Sequence, residues 1–243
     1  EIVNLKKNST VLDIGSNDGT FLNSFNKEKF NLIGIDPTIK KFNKYYKSGI
    51  IKSSKFFSYR NFKQVSKKSK ANLITSFSMF YDLQDPLKFT KDINKCLDVN
   101  GIWHFEQSYL LDMIKKNSYD TICHEHLEYY SIHSINYIIK KSQLKIIDIK
   151  RNSINGGSIA ITAAKINSKY KECTSLINRY LKNETDKKIN TKKTYKIFFS
   201  KFLKEKNNLI ALLENLKKDG KTIIGYGAST KGNVLLQWCG IDN

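Results

Sequence analysis

Residues 9–19 read Ser-Thr-Val-Leu-Asp-Ile-Gly-Ser-Asn-Asp-Gly, and this stretch decides the fold. Its apolar run ends at Gly15, as a buried parallel strand does before a tight turn. The apolar start of a helix follows at residues 20–22. Strand, glycine loop and helix in this order bring backbone N–H groups close to a ligand. The sequence therefore predicts an α/β fold built on a parallel sheet.

The polar residues around this loop indicate which ligand it takes. The loop from Gly15 to Gly19 is not the GxGxxG of dinucleotide sites, and the carboxylates of Asp13 and Asp18 beside it would repel a diphosphate. They favour a cationic nucleoside without phosphate, such as S-adenosylmethionine. The next predicted strand, Asn31–Ile35, delivers Asp36, which is placed to accept both ribose hydroxyls. An ordinary turn built from Asn-Asp-Gly stays open as the alternative.

Further strands extend the predicted sheet. Residues 71–79 and 101–107 have the apolar pattern of core strands. Between them lies a predicted helix that begins at Pro86 and ends at about residue 97. Residues 144–151 and 158–166 are joined so closely that we expect an antiparallel pair at one edge. Ligands bind at the carboxyl ends of parallel strands, so three residues near the end of the strand at 71–79 are candidate cofactor contacts. Packing in the core or at its rim is an equal alternative for these aromatic and polar side chains. These are Phe77, Ser78 and Phe80.

Residues 120–131 read Asp-Thr-Ile-Cys-His-Glu-His-Leu-Glu-Tyr-Tyr-Ser and concentrate titratable groups between a strand and a helix. Imidazole is the usual proton acceptor near neutral pH, so we interpret His126 as a general base, with Glu125 next in order. Tyr129 and Tyr130 are placed to hold or polarise a substrate oxygen. Two alternatives stay open. Cys123, His124 and His126 have the chemistry of zinc ligands, although we predict no metal, and polar groups also tie down long loops.

The last third of the chain predicts a helical connector and a second glycine loop. Residues 170–218 have a helical pattern with a polar break at about 182–194, and residues 221–226 predict a strand. The following loop carries Gly227 and Lys231, which suit a phosphate. Asn155 offers an amide to a substrate, with a plain turn as the alternative. We expect domains at 1–167, 168–219 and 220–243.

Charge and cysteine content limit the partners. The net charge is +20, yet only three of 42 basic residues are arginine, so the lysines indicate a solvated coat that suits an anionic substrate. Nucleic-acid binding stays as a weaker alternative. Four scattered cysteines suit a reducing compartment, and no apolar run is long enough for a membrane span. We expect a cytoplasmic protein without a membrane partner. The sequence leaves the oligomeric state open and is compatible with a monomer.

With these motifs in hand, the chain resembles the sugar C-methyltransferases that act on nucleotide-linked ketosugars in deoxysugar biosynthesis. The His-Glu-His stretch and the late Gly-Tyr-Gly-Ala loop are the most specific marks. The shared segments are 12–19, 34–37, 121–130, 155–158 and 225–233.

The resemblance implies a class I methyltransferase domain with a Rossmann-like sheet, followed by helices and the start of a second Rossmann-like domain. It implies methyl transfer from S-adenosylmethionine to the carbon next to the ketone of a nucleotide-linked, dTDP-type 4-keto-deoxysugar. O-methylation of a sugar or small molecule is the alternative. By matching positions His126 is the base and Glu125 its assistant. The cofactor contacts would be Asp13, Gly15, Ser16, Asn17, Asp18, Gly19 and Asp36, and the substrate contacts His124, Asn155, Gly227, Lys231 and Asn233.

Three departures from the resembled family bear on these expectations. Relatives carry an N-terminal zinc-binding domain, which brings a tyrosine to the active site, so any zinc would belong to that domain. The C-terminal domain is short, and we expect the chain to be a fragment. Cys123 stands where some relatives have tyrosine.

Overall fold

Seven strands form one mixed sheet in the computed structural model, which describes residues 3–67, 70–227 and 229–241. The strands are β1 (Thr10–Ile14), β2 (Asn31–Ile35), β3 (Ile51–Ser53), β4 (Ala71–Phe77), β5 (Leu97–Ser108), β6 (Leu144–Asn152) and β7 (Ser158–Lys165). Their order is β3-β2-β1-β4-β5-β7-β6, and β7 alone among these described strands runs in the opposite direction to the others. The predicted α/β class and the antiparallel pair are confirmed. The antiparallel strand lies one place in from the edge, because β6 takes the outer position.

Helices cover both faces of this sheet. They are α1 (Thr20–Asn23), α2 (Ile39–Phe42), α3 (Tyr59–Val65), α4 (Pro86–Cys96), α5 (Leu110–Lys116), α6 (Ile132–Lys141), α7 (Thr174–Asp186), α8 (Lys192–Lys218) and α9 (Thr230–Cys239). Local chemistry sets their starts. Asp85 accepts a hydrogen bond from Lys88 N at 2.8 Å ahead of Pro86, and Ser131 and Ser134 cap α6 reciprocally. In the described part of the chain no helix is long and apolar enough to cross a bilayer.

The core has two halves, one on each side of the sheet. Side chains alternate along a strand, so Val11 packs on one face with Leu22 of α1 while Leu12 packs on the other. The second face carries the aromatic side chains Phe80 and Trp103, whose ring centroids lie 5.6 Å apart. Burial on both faces holds the carboxyl ends of β1, β4 and β5 in fixed positions at one edge.

The C-terminal third packs back on this edge through aromatic side chains. Phe202 of α8 contacts Tyr119, which precedes the His-Glu-His stretch, and Trp238 of α9 at centroid distances of 5.1 and 5.4 Å. The predicted helical stretch and its break are confirmed. The predicted strand at 221–226 is wrong: residues 221–227, all of them described, form no strand, and Ile224 is 84% exposed. An apolar run makes a strand only beside a partner strand, and none of the described strands lies next to it.

Candidate active site

The glycine loop lies where β1 and β2 end. Gly15 and Gly19 have φ angles of +73° and +78°, and Asn17 between them has a φ of +46°. These left-handed conformations suit glycine and asparagine, and they turn the backbone tightly between β1 and α1. Asn17 N donates a 2.9 Å hydrogen bond to Asp36 Oδ2, so the predicted ribose-binding carboxylate is tied to the loop itself. Asp36 Oδ1 accepts two further hydrogen bonds, both of 2.6 Å, from Thr38.

Three carboxylates surround this loop. Asp13 is only 3% exposed, and burial raises its pKa to about 7, with Thr75 opposing and Asp36 adding to the shift. Asp18 accepts a hydrogen bond from Thr20 N at 3.0 Å, and this contact lowers its pKa. The predicted cofactor residues 13, 15–19 and 36 are thus brought together, and three of them are acidic.

Tyr46 supports the loop through two hydrogen bonds, and no sequence pattern singles it out. Its hydroxyl donates to Asn17 O at 2.9 Å and accepts from Ser16 Oγ at 2.8 Å. Burial, together with the three carboxylates, raises the pKa of Tyr46 to about 12, so the phenol stays neutral. A Cβ on Gly19 would meet the Tyr46 ring at 2.7 Å, which explains the glycine there.

The end of β4 brings two of its three predicted cofactor contacts to the site. Phe77 is half-buried beside Phe21, with a centroid distance of 5.2 Å, and Ser78 is exposed with a φ of +51°. Phe80 does not lie with them. It is 1% exposed inside the aromatic core, because the short helical turn after β4 rotates it to the other face. The prediction that Phe80 contacts the cofactor is wrong.

The His-Glu-His stretch forms a loop next to this strand end, and His126 is its most constrained member. Its Nδ1 lies 2.8 Å from the Thr121 carbonyl oxygen. A carbonyl only accepts, so Nδ1 carries a proton, and in the neutral imidazole Nε2 then has the lone pair. The Tyr81 ring packs against the imidazole at a centroid distance of 4.3 Å, and both line a narrow cavity with Tyr109, Met113 and Tyr129. This geometry orients the imidazole and makes Nε2 the nitrogen that can act as a base.

Two other predicted catalytic residues lie close by. Glu125 is exposed, and its charge adds to burial in raising the pKa of Asp82 to about 6. Tyr129 donates to Thr121 O at 3.4 Å, and burial raises its pKa. Asp82 was not among the predicted site residues, although its position just past β4 is a usable signal. No three His, Cys, Asp or Glu side chains in the described ranges converge as a metal site requires.

Tyr130 does not belong to the site. It is 4% exposed and packs on Phe80 with a centroid distance of 5.0 Å, and its hydroxyl is enclosed without a partner among the described atoms. Burial raises the pKa of this phenol. The prediction that Tyr130 holds a substrate oxygen is wrong, since consecutive residues of an extended segment point to opposite sides.

The start of α9 meets the loop and brings two predicted substrate contacts together. Lys231 Nζ lies 3.5 Å from Asn155 O and 3.8 Å from Asp120 Oδ2, while Thr230 Oγ1 lies 3.5 Å from Glu125 Oε2. Asn155 has a φ of +51°, in keeping with its turn. The other three predicted substrate contacts are exposed at the surface: His124, Gly227 and Asn233. Ala228, within the same glycine loop, lies outside the described residues.

One buried carboxylate, which was not among the predicted site residues, anchors the end of the His-Glu-His loop. Glu184 of α7 is 3% exposed. Its Oε1 accepts from Tyr109 OH at 2.8 Å and Ile132 N at 2.6 Å, and its Oε2 accepts from His133 N at 3.1 Å. Glu184 therefore caps α6 where the loop ends. An acidic residue in an amphipathic helix gives no sequence signal that distinguishes it from a solvent-facing one.

The sheet order, the acidic glycine loop and the carboxylate after β2 define a class I methyltransferase fold. Solved structures with this fold resemble the chain. LepI in complex with S-adenosylmethionine has a TM-score of 0.51 at 13% identity, covering 65% of this chain and 43% of that one. The YcgJ protein of Bacillus subtilis has a TM-score of 0.51 at 12% identity, covering 66% and 93%.

Sequence comparison places the chain within this class. Residues 2–149 match a family model described as a methyltransferase domain, and the chain belongs to that family. Residues 153–243 match a second model, the C-methyltransferase C-terminal domain. The C-methyltransferase NovU of Streptomyces niveus is 27% identical over 242 residues, which are 99% of this chain and 57% of that protein. The chain thus spans a little over half the length of this relative.

Proposed function

We propose that this chain is the core of an S-adenosylmethionine-dependent C-methyltransferase. Its substrate would be a nucleotide-linked 4-keto-deoxysugar of the dTDP type, methylated on the carbon next to the ketone. The observation that carries the proposal is the hydrogen bond from His126 Nδ1 to Thr121 O, which leaves Nε2 free to take a proton. The similarity to a C-methyltransferase favours carbon as the acceptor.

The proposed cofactor pocket lies around the glycine loop, and its acidic side chains suit the methyl donor. The loop from Gly15 to Gly19, with Asp13 and Asp36, would hold S-adenosylmethionine, because carboxylates favour its sulfonium and amino cations. When bound, S-adenosylmethionine supplies an electrophilic methyl group and leaves as a neutral thioether. Phe77 and Ser78 at the end of β4 border the same pocket, and Asp18 adds negative charge at its rim.

His126 would perform the proton transfer. Its Nε2 takes the proton from the carbon beside the ketone, and the electron pair of that C–H bond moves into an enolate. Tyr129 keeps its proton because burial raises its pKa, and it would exchange its long 3.4 Å hydrogen bond to Thr121 O for one to the enolate oxygen. Glu125 and Asp82 supply negative charge near the imidazolium that forms. The enolate carbon then takes the methyl group, the ketone is restored, and His126 releases its proton to solvent.

The nucleotide end of the substrate would meet the start of α9. Lys231 provides a cation there, next to Asn155. A diphosphate suits this ammonium, and the strongly positive surface favours an anionic substrate in general. His124, Gly227 and Asn233 are exposed around it and complete the proposed contact set.

Hydrogen exchange tests the carbon assignment directly. The protein is incubated in D₂O with S-adenosylhomocysteine and dTDP-4-keto-6-deoxyglucose, and loss of the proton beside the ketone is followed by NMR. We expect catalysed exchange that His126→Asn lowers by about 10²–10⁴-fold, since asparagine keeps a donor for Thr121 O but has no base. His133→Gln, at an exposed histidine on α6, is the matched control.

The outcomes separate the alternatives. Exchange that survives in His126→Asn would contradict the base assignment. Methyl transfer from S-adenosylmethionine to this sugar without any exchange would favour a hydroxyl acceptor and O-methylation.

A further inference from the structure

Tyr81 stands between the proposed cofactor pocket and the proposed base. It lies in the helical turn that follows β4, four residues after Phe77, and it is half-buried. Its ring packs on the His126 imidazole with a centroid distance of 4.3 Å and an interplanar angle of 52°. A residue far away in sequence thus covers one side of the basic side chain.

The Tyr81 backbone makes a second link to the same loop. Its carbonyl oxygen accepts hydrogen bonds from Leu127 N at 3.0 Å and from Glu128 N at 3.1 Å. Both acceptor positions of one carbonyl are therefore used on the two residues after His126. The loop has no regular secondary structure at this point, so these bonds fix its distance from β4.

His126 is then held from three directions. Its Nδ1 donates to Thr121 O at 2.8 Å, its backbone N donates to Cys123 O at 3.2 Å, and the Tyr81 ring covers its side. One hydrogen bond leaves an imidazole free to swing about its bond to Cβ. A ring packed against it restricts that motion, and the electron-rich face of a phenol also favours an imidazolium.

We propose that Tyr81 is a positioning residue for His126, which holds the imidazole so that Nε2 faces the substrate carbon. This inference rests on the proposed role of His126 as the base. Tyr81 works through the histidine and transfers no proton itself.

The position of Tyr81 also connects the base to the methyl donor. Burial raises the pKa of the Tyr81 phenol above its ordinary value, and the side chain of Ser78, a proposed cofactor contact on the same strand end, partly opposes this shift. The phenol is therefore neutral near neutral pH. One short segment, residues 77–82, thus borders the cofactor pocket and carries the ring that orients the base, so the two reacting partners share one rigid support.

The competing explanation is that Tyr81 only fills the core. It does pack at the edge of the main hydrophobic cluster. Core filling predicts that loss of the ring lowers stability and leaves the state of His126 unchanged. Positioning predicts that the imidazole tautomer changes while the fold persists.

The test reads the tautomer of His126 by ¹⁵N–¹H NMR of histidine-labelled protein, with His126→Asn used to assign the signals. We expect one Nδ1-protonated tautomer in the wild type and in Tyr81→Phe, which keeps the ring. We expect a mixture of tautomers in Tyr81→Leu and in Tyr81→Met, which lack it. Tyr137→Leu, at a tyrosine that is 60% exposed on α6, is the matched control. Binding of S-adenosylhomocysteine and thermal melting establish that each variant is folded.

Kinetics add a second readout. With S-adenosylmethionine and dTDP-4-keto-6-deoxyglucose, we expect kcat of Tyr81→Met to fall by about 10²-fold while KM for the methyl donor stays within about threefold. A single unchanged tautomer in both ring-deleted variants would overturn the proposal. The NMR result stands even if this sugar is not turned over, so failure of the positioning role is distinguishable from failure of the proposed function.

Discussion

The Thr75 hydroxyl donates a hydrogen bond of 2.6 Å to Asp13 Oδ1 across the adjacent strands β4 and β1. This single neutral donor only partly offsets the burial of the Asp13 carboxyl, and the nearby Asp36 adds further repulsion. The folded protein therefore keeps a proton on Asp13 to a pH at which an exposed carboxyl is ionised. Such a group is responsive to a cationic ligand, whose binding would favour ionisation.

Asp13 should make stability fall as pH rises. Its pKa is raised from 3.8 to about 7 on folding, so between these values the folded state binds more protons than the unfolded state. The stabilisation is complete below about pH 4 and is lost as pH rises towards 7. Asp13→Asn keeps an acceptor for Thr75 and removes the titration. We expect the difference in Tm between variant and wild type to shift in favour of the variant from pH 4 to pH 8. A difference that stays constant over this range would contradict the raised pKa.

Gly19→Ala should distort the glycine loop between β1 and α1. The added Cβ meets the Tyr46 ring at 2.7 Å in a residue with a φ of +78°. Gly220→Ala is a matched control, because Gly220 has a similar φ of +69° and open space around its Cβ. We expect Gly19→Ala to lower the free energy of unfolding by about 1–3 kcal/mol more than the control does. Calorimetry should also find affinity for S-adenosylhomocysteine reduced at least about tenfold. Equal effects of the two substitutions would mean that Tyr46 gives way.

The sequence predicts most strands because burial on both faces leaves continuous apolar runs. β2 is predicted at its observed bounds for this reason. β3 was missed, since three residues are too few for a pattern. The strand predicted at 221–226 was wrong for the opposite reason. Its apolar pattern is present, but a strand forms only beside a partner strand, and the pattern gives no information about that partner.

Residues of the candidate site could be predicted where their position in the local sequence pattern indicates a role. They were missed where their role depends on contacts with distant parts of the chain. The Asp13 and Asp36 carboxylates follow from their positions at strand ends. Tyr81 and Glu184 act on residues far from them in sequence, so neither stood out. The prediction for Tyr130 was wrong because a run of polar side chains does not indicate which of them points into the core. Adjacent residues of this loop differ in burial: Tyr129 is half-buried, while Tyr130 is buried.

Glu184→Gln should loosen the end of the His-Glu-His loop, where α6 begins. The wild-type carboxylate accepts three hydrogen bonds, two of them from the first backbone N–H groups of α6. Glutamine replaces one acceptor oxygen with an NH₂ donor, so at least one of the three donors, for example His133 N–H, loses its acceptor. We expect the free energy of unfolding to fall by about 2 kcal/mol in urea denaturation. Asp186→Asn, at an exposed acid on the same helix, should change it by less than about 0.5 kcal/mol. Equal losses in the two variants would argue against an anchoring role.

Lys231 and Asp120 should have opposite effects on diphosphate binding. The Lys231 ammonium lies 3.8 Å from Asp120 Oδ2, so a bound diphosphate would compete with this carboxylate. With dTDP as the probe, we expect Lys231→Gln to raise Kd about tenfold, while Lys218→Gln at the exposed end of α8 changes little. Asp120→Asn should tighten binding about threefold by freeing the ammonium. That gain should shrink in the Lys231→Gln background, because only general repulsion by Asp120 remains there. An equal gain in both backgrounds, measured by calorimetry at one fixed salt concentration, would show that Asp120 acts on the ligand without Lys231.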